Sequence, residues 1–360
     1  MDCRAVIDDA IASIRTPDAS AREEALALQA RLTKPAGALG RLEELAVWAA
    51  GVAREASPLF EKPVIVVAAA DHGVAAEGVS AYPQDVTWQM VANFLRGGAA
   101  VNVLARQCGA EVRVVDAGVA RDFDDSGVHN AKLRRGTDSM TRGAAMSRAE
   151  AETLVARGIA YAQALRGEGY DAFALGDMGI GNTTAAAAVT SVLAGVPPRV
   201  ATGRGTGIDD AAFARKLAAI EMAIDVNRPD PSDAIDVLAK VGGFEIAFLA
   251  GVMVGAASTG APVVLDGYPT TASALVAAAR GAVASEYMLA SHMSAEPGHR
   301  FALAHLGLRP LLDLEMRLGE GSGATLALSL LAAALRLPRE MATFDSAGVS
   351  RSISGTRPEA

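Results

Sequence analysis

The sequence predicts a layered α/β fold built on a parallel sheet, and three observations predict it. Short apolar runs, Val64–Ala70, Val112–Val115, Ala172–Leu175 and Val263–Leu265, are separated by helical stretches. That alternation is expected of parallel strands covered by helices on both faces. Each run ends in an acid beside glycine: Asp71-His72-Gly73, Asp116-Ala117-Gly118, Gly176-Asp177 and Asp266-Gly267. The composition, 51% hydrophobic with 36 glycines and only 4% aromatic residues, suits close helix packing.

Residues 1–57 carry helical patterning and no strand signal. Thr16-Pro17-Asp18 reads as a helix start with Pro17 at the first helical position. Lys34-Pro35-Ala36-Gly37 breaks the pattern, and Leu39–Val52 resumes it. A helical part of a small lobe is therefore expected over 1–60, with Lys34 and Arg41 more readily solvated than ligand-bound. A large α/β nucleotide-binding domain is expected over 61–310, and a glycine-rich loop with C-terminal helices over 311–360.

Within the large domain, helices are expected over Val86–Ala105, Ser147–Ala164, Asp209–Val226 and Ser232–Lys240. The capping box Ser147-x-x-Glu150 opens the second of these, and Asn227–Pro231 separates the last two. Arg121–Arg142 is polar and reads as an irregular or hairpin insertion. Phe244–Leu265 is very apolar but contains Glu245, several glycines and Pro262, so it reads as a buried helix followed by a strand rather than a membrane span. His292–His299 reads as a loop, and Ser350–Ala360 as a frayed end.

A chain of 360 residues with a net charge of −8 has no global attraction to nucleic acid or anionic membrane. Local basic residues must then hold any anionic ligand. Two cysteines, Cys3 and Cys108, make no disulfide framework, and Met1-Asp2-Cys3-Arg4 opens no apolar core of signal-peptide length. A reducing cytoplasm is expected.

Three glycine-rich loops point to an anionic, phosphorylated ligand. Arg317-Leu318-Gly319-Glu320-Gly321-Ser322-Gly323 precedes the apolar run Leu326–Leu335. Gly176-Asp177-Met178-Gly179-Ile180-Gly181-Asn182-Thr183-Thr184 precedes Ala185–Val189, and Thr202-Gly203-Arg204-Gly205-Thr206-Gly207 precedes Asp209 and a helix containing Lys216. Glycine allows positive φ and close ligand approach, and helix-start N–H groups favour anions. Any one such loop is equally a helix cap with an incidental acid.

Other chemistries lack their motifs. There is no Walker-type G-x-x-x-x-G-K-[ST], no G-x-S-x-G elbow, no H-E-x-x-H and no dinucleotide fingerprint after the first strand. His292, Glu296 and His299 would share a helix face, but Pro297-Gly298 interrupt it, so no metal is expected. Glu320 remains as a candidate general base. Enclosure in a loop beside a buried helix would raise its pKa toward neutrality.

These motifs resemble the nicotinate-nucleotide–dimethylbenzimidazole phosphoribosyltransferase family over almost the whole chain. The resemblance is carried by Lys34-Pro35 through Glu43, Ala70-Asp71-His72-Gly73-Val74, Gly176 through Thr184 and Lys240-Val241-Gly242-Gly243-Phe244-Glu245. It continues through Val264-Leu265-Asp266-Gly267, Ser291-His292 with Ser294-Ala295-Glu296, and Arg317 through Gly323. It implies a Rossmann-like parallel sheet flanked by helices, a small helical lobe from the N- and C-terminal segments, and a homodimer. It implies no cofactor, and nicotinate mononucleotide and a benzimidazole base as partners.

The implied reaction is attack of a benzimidazole nitrogen on C1′ of the nucleotide, with departure of nicotinate and inversion from β to α. Glu320 is then the base. Asp177, Gly179, Gly181, Asn182, Thr183, Gly203, Gly205, Gly319 and Gly321 would hold phosphate and ribose, with Lys216 and Ser294 near the phosphate. Tyr82, Met90, Met178 and Leu318 fall where the incoming base would stack. Asp177 replaces a glutamate frequent in the family, and Tyr82 stands where some relatives have a smaller residue. Both bear on substrate preference. Two other readings are a transferase preferring adenine or a phenolic ring and a non-catalytic nucleotide-binding protein; the intact Glu320 argues against the latter.

Overall fold

The computed structural model describes residues 2–123 and 127–351. By internal contacts these form two units. One comprises the residues up to Thr16 with Lys62–Leu328, and the other comprises Pro17–Glu61 with the described residues from Ser329 onward.

The first unit is an α/β layer structure around a six-stranded sheet. Its strands are β1 (Pro63–Ala70), β2 (Glu111–Gly118), β3 (Val128–Asn130), β4 (Ala172–Met178), β5 (Val263–Leu265) and β6 (Met288–Ala290). Every pairing is parallel and the order is β3-β2-β1-β4-β5-β6. β1 is buried along its length except at Pro63, whose missing N–H is tolerated at a strand's first position. Val64 lies opposite Glu111 and Phe173, which aligns the ends of the three central strands. The strand order reverses between β1 and β4, and in open parallel sheets the crevice beyond that switch point receives the ligand.

Helix Phe244–Ser258 is buried from Phe244 through Ala257. It crosses helix Arg148–Gly167 so closely that a Cβ on Gly158 would lie 2.1 Å from the Phe248 carbonyl oxygen, and one on Gly251 would lie 2.1 Å from that of Val155. Ser147 and Glu150 form the expected capping box.

Several expectations change in detail. Val86–Ala105 is two helices, Val86–Leu95 and Ala100–Cys108, interrupted near Gly97-Gly98. The insertion 121–142 contains β3. Pro297 starts the helix Pro297–Leu306 instead of preventing one, because proline is favourable at a first helical position. Asp18, not the residue before Pro17, caps the helix Ala19–Gln29, accepting from Ala21 N–H. The helix Cys3–Ser13 belongs to the sheet-bearing unit, where Arg280 pairs with Asp8 and Tyr287 Oη donates to the Arg15 carbonyl. The frayed end expected over 350–360 lies outside the described residues beyond Arg351.

The second unit is helical. Ala19–Gln29 and Arg41–Ala53 pair within it, and Ala49, Leu331 and Leu335 form a core flanked by Trp48, Leu59 and Phe60. Lys34 is enclosed there with its Nζ 2.8 Å from Glu43, and Arg41 pairs with Glu44, so both have protein partners.

Candidate active site

The four strand-end aspartates have different tasks. Asp71 accepts the Ala120 N–H at 2.7 Å. Asp116 accepts from Gly118 and Val119 and pairs with Lys132 at 2.9 Å. Asp266 accepts from Gly321, Gly323 and Ala324 at 3.0, 2.7 and 3.0 Å. These three anchor neighbouring backbone. Asp177 instead accepts from the Asn182 side-chain amide at 2.7 Å, and its Oδ1, like that of Asp71, is buried without a partner. It is also the one of the four that lines the cleft beside β4.

That cleft, about 480 Å³ with its solvent-filled mouth, joins the three glycine-rich loops. Asp177, Asn182 and Thr183 line it from one, Gly205 and Thr206 from the next, and Leu318 and Gly319 from the third. Ser294, Glu296 and Arg317 complete its polar wall. Arg317 Nη1 donates to the Gly205 carbonyl at 3.2 Å, tying two loops together. Glu296 accepts the Gly205 N–H at 2.7 Å.

Lys216 lies behind this wall, fully buried. Its Nζ donates to Thr183 Oγ1 at 2.9 Å and to the Gly203 carbonyl at 3.0 Å, which leaves one ammonium hydrogen. Burial pulls its pKa down to about 8, against the opposing pull of Glu296.

Glu320 follows from the sharp turn at Gly319. Its φ of +64° is left-handed, a conformation costing a non-glycine residue about 1–2 kcal/mol. Its N–H donates to the Asp177 carbonyl at 3.2 Å, binding the catalytic-loop candidate to the end of β4. The turn also sits directly on Gly176, where a Cβ would meet Glu320 backbone at 2.4 Å. The residue is 6% exposed and its Oε2 has no partner. Burial pushes its pKa up to about 7, opposed by a hydrogen bond from the Val101 N–H. Val101 is in the first turn of the helix Ala100–Cys108, so Glu320 also serves that helix end.

Other buried acids surround it electrostatically. Burial, then the charges of Asp266, Glu245 and Glu320, hold the Asp177 pKa well above the carboxylate range. Burial raises Asp266 to about 7 against its three backbone donors. His72 Nε2 meets Glu245 Oε1 at 2.7 Å beneath the loop, with Gly179 and Gly181 packed on the imidazole side chain. Burial lowers the His72 pKa, but the Glu245 carboxylate outweighs it and leaves the group above its ordinary value.

The two histidines weighed as metal ligands have protein partners. His292 Nδ1 meets Ser291 Oγ at 3.0 Å. His299 Nδ1 accepts from Ser294 N–H at 2.9 Å, so Nε2 carries the proton and donates to Thr271 Oγ1 at 2.8 Å. Burial, with His292 nearby, depresses the His299 pKa to about 3.

Of the four residues expected to stack on a base, Leu318 lines the cleft, and Tyr82, Met90 and Met178 are not among its lining residues. Leu318 is 57% exposed, and Tyr82 is 56% exposed. Tyr82 adjoins the second loop through the Ala81 N–H bond to Thr206. Met178 and Met90 are half-buried. Thr87, one turn before Met90, accepts the Ile180 N–H at 3.1 Å. Sequence reasoning did not single out His72, Glu245, Asp266, Glu296 or Arg317 as site residues. All five lie inside the quoted motifs, but only their long-range partners separate them from ordinary cap and core positions.

Known proteins show the family to which this sequence and fold are similar. A family model described as phosphoribosyltransferase matches residues 14–349. A curated nicotinate-nucleotide–dimethylbenzimidazole phosphoribosyltransferase from Desulforudis audaxviator is 53% identical over 335 residues, covering 93% of this chain and 95% of that protein. The one from Roseiflexus castenholzii is 52% identical, covering 97% and 99%. A solved structure of the Thermus thermophilus enzyme of that name superposes with a TM-score of 0.88 at 46% identity, covering 93% of this chain and 100% of that one.

Proposed function

Because this chain belongs to the nicotinate-nucleotide–dimethylbenzimidazole phosphoribosyltransferase family, we propose that it transfers the phosphoribosyl group of nicotinate mononucleotide to 5,6-dimethylbenzimidazole. The products are α-ribazole 5′-phosphate and nicotinate. The observation that carries the proposal is Glu320, a buried carboxyl with Oε2 unpartnered, next in the chain to Leu318 and Gly319, which line the switch-point cleft.

In this mechanism Glu320 removes the N–H proton of the incoming benzimidazole. The electron pair of the opposite nitrogen forms the bond to C1′ as the glycosidic pair leaves with nicotinate. The pyridinium is already cationic, so its departure neutralises charge. Attack from the face opposite the leaving group inverts the configuration. In this reading Asp177, Asn182 and Thr183 hold ribose and phosphate together with Gly205, Ser294 and Gly319, which is supported by all six lining one cleft. Gly321 serves differently, because its N–H is bonded to Asp266. Gly179, Gly181 and Gly203 shape the loops, and Tyr82, Met90, Met178 and Leu318 offer apolar surface to the base.

Lys216 acts on phosphate through its remaining hydrogen and through the loop it braces. Lys216→Ala should raise KM for the nucleotide by about tenfold or more, the loss of a charge-assisted hydrogen bond, with a smaller change in kcat. An unchanged KM in steady-state assays would remove Lys216 from the phosphate site. None of the described helices is long and apolar enough to cross a membrane, and neither Cys3 nor Cys108 is in a disulfide among the described residues. The proposed working form is a cytoplasmic homodimer, as the family resemblance implies.

The direct test is chromatographic detection of nicotinate from nicotinate mononucleotide with chelator present. Release that depends on added 5,6-dimethylbenzimidazole supports the reaction, and a panel of adenine and phenolic acceptors ranks preference. Nucleotide binding by calorimetry without turnover on any acceptor would reject catalysis.

A further inference from the structure

We infer that Asp266 and Thr325 are positioning residues that clamp Gly321 and thereby hold Glu320 in its left-handed conformation. The inference rests on Glu320 being the base. Asp266 is fully buried, and its three backbone donors all lie on the Glu320 loop and the helix after it. That helix begins at Ser322. A carboxylate that only capped it would need the Gly323 and Ala324 N–H groups, which are the second and third helical positions.

The third bond, from Gly321 N–H, lies before the helix and adjoins the Glu320 carbonyl. It fixes the peptide on one side of Glu320. On the other side, the Glu320 N–H is held by the Asp177 carbonyl. The Gly321 carbonyl accepts the Thr325 N–H at 2.9 Å, the first backbone bond of the helix, and Thr325 Oγ1 at 2.7 Å as a second tie, and Thr325 is buried. Both ends of Gly321 are therefore tied within the unit, and neither tie comes from sheet or core packing.

The same contacts assign the helix start. Its N–H groups are occupied by a protein carboxylate, so this end of the helix is not an anion subsite. Substrate phosphate must use donors elsewhere in the cleft, and the helix start is left to hold the turn that bears Glu320.

Steady-state kinetics of Asp266→Asn, Thr325→Val and Glu320→Gln, singly and combined, test the proposal. The Asn oxygen can still accept from Gly323 and Ala324, while its NH2 group confronts the Gly321 N–H. Asp266→Asn should lower kcat by about tenfold to a hundredfold, the scale of a small misplacement of a reacting group, with KM for nicotinate mononucleotide within about twofold. Thr325→Val should show the same pattern more weakly, and Thr325→Ser should restore kcat. In the Glu320→Gln background neither substitution should slow turnover further, because each acts through Glu320.

Multiplicative losses in that background, or wild-type kcat in both single variants, would overturn the proposal. Far-UV dichroism checks folding, and Thr325→Val carries the test if Asp266→Asn does not fold. Full activity of Glu320→Gln alone would refute the base itself, a result distinct from additivity in the double variants.

Discussion

Replacing Glu320 by Gln should slow turnover by about 10²–10⁴, the range for losing a general base, while leaving nucleotide binding nearly intact. The substitution isolates proton transfer from architecture. Gln keeps an oxygen that can accept the Val101 N–H, so the end of the helix Ala100–Cys108 stays capped. It keeps the side-chain volume against its buried surroundings and removes only the ability to take a proton. The pH profile adds a second signature. A base must be ionised, and burial lifts this carboxyl to about 7. In the parent, kcat should fall as pH drops below about 7. The residual rate of the Gln variant should lose that limb. Wild-type turnover in the variant, with the acid limb preserved, would assign proton removal to another group or to solvent.

Gly176→Ala should abolish activity more thoroughly than its size implies. A Cβ there would stand 2.4 Å from the Glu320 carbonyl carbon and the Gly321 nitrogen, and 2.5 Å from the Glu320 oxygen. These are backbone atoms of the turn bearing the proposed base, so no flexible side chain can yield. The turn must lift away from β4, straining the Glu320–Asp177 backbone bond and the grip of Asp266. Overpacking of this kind costs about 1–3 kcal/mol, and displacement of the base by 1 Å costs about 10²-fold in rate. The variant should combine a lowered urea midpoint with loss of kcat. Gly167→Ala is the control, because nothing lies within 4 Å of its added Cβ. A Gly176→Ala enzyme with parental kcat would show that the turn tolerates displacement.

The fold was legible where the signal was local. β5 appears at its expected bounds because Pro262 and Asp266 bracket three apolar residues. The longer strands were placed by their unbroken apolar runs, which burial on both faces requires. β6 escaped because Met288–Ala290 is too short to stand out from apolar sequence around it. β3 escaped because Val128-His129-Asn130 is an exposed edge with polar residues.

The site divides in the same way. Glycine punctuation revealed the three loops, but it could not show what already occupied their N–H groups. The helix start after Glu320 looked available for phosphate, yet its donors belong to Asp266, 55 residues before Gly321 in the chain. The His72–Glu245 contact spans 173 residues, a pairing that no spacing rule can find. Four similar strand-end aspartates separated only when their hydrogen-bond partners were known.

The buried carboxyls also set how this protein withstands heat. For Glu320, Asp177 and Asp266 the folded-state pKa lies above that of an unfolded carboxyl. A group of that kind contributes its full share of stability below the unfolded value, near 4, and loses it as pH rises through the folded value, about 7 for Glu320 and Asp266. Working conditions that ionise the base therefore load the native state with charge it would rather shed. The slow Glu320→Gln enzyme should melt at a higher temperature than its parent at pH 8, with the gap closing toward pH 5. Equal melting curves at pH 8 would mean that ionised Glu320 is better solvated than its burial implies. Selection for heat resistance alone would then erode the very group that gives the fold its chemistry.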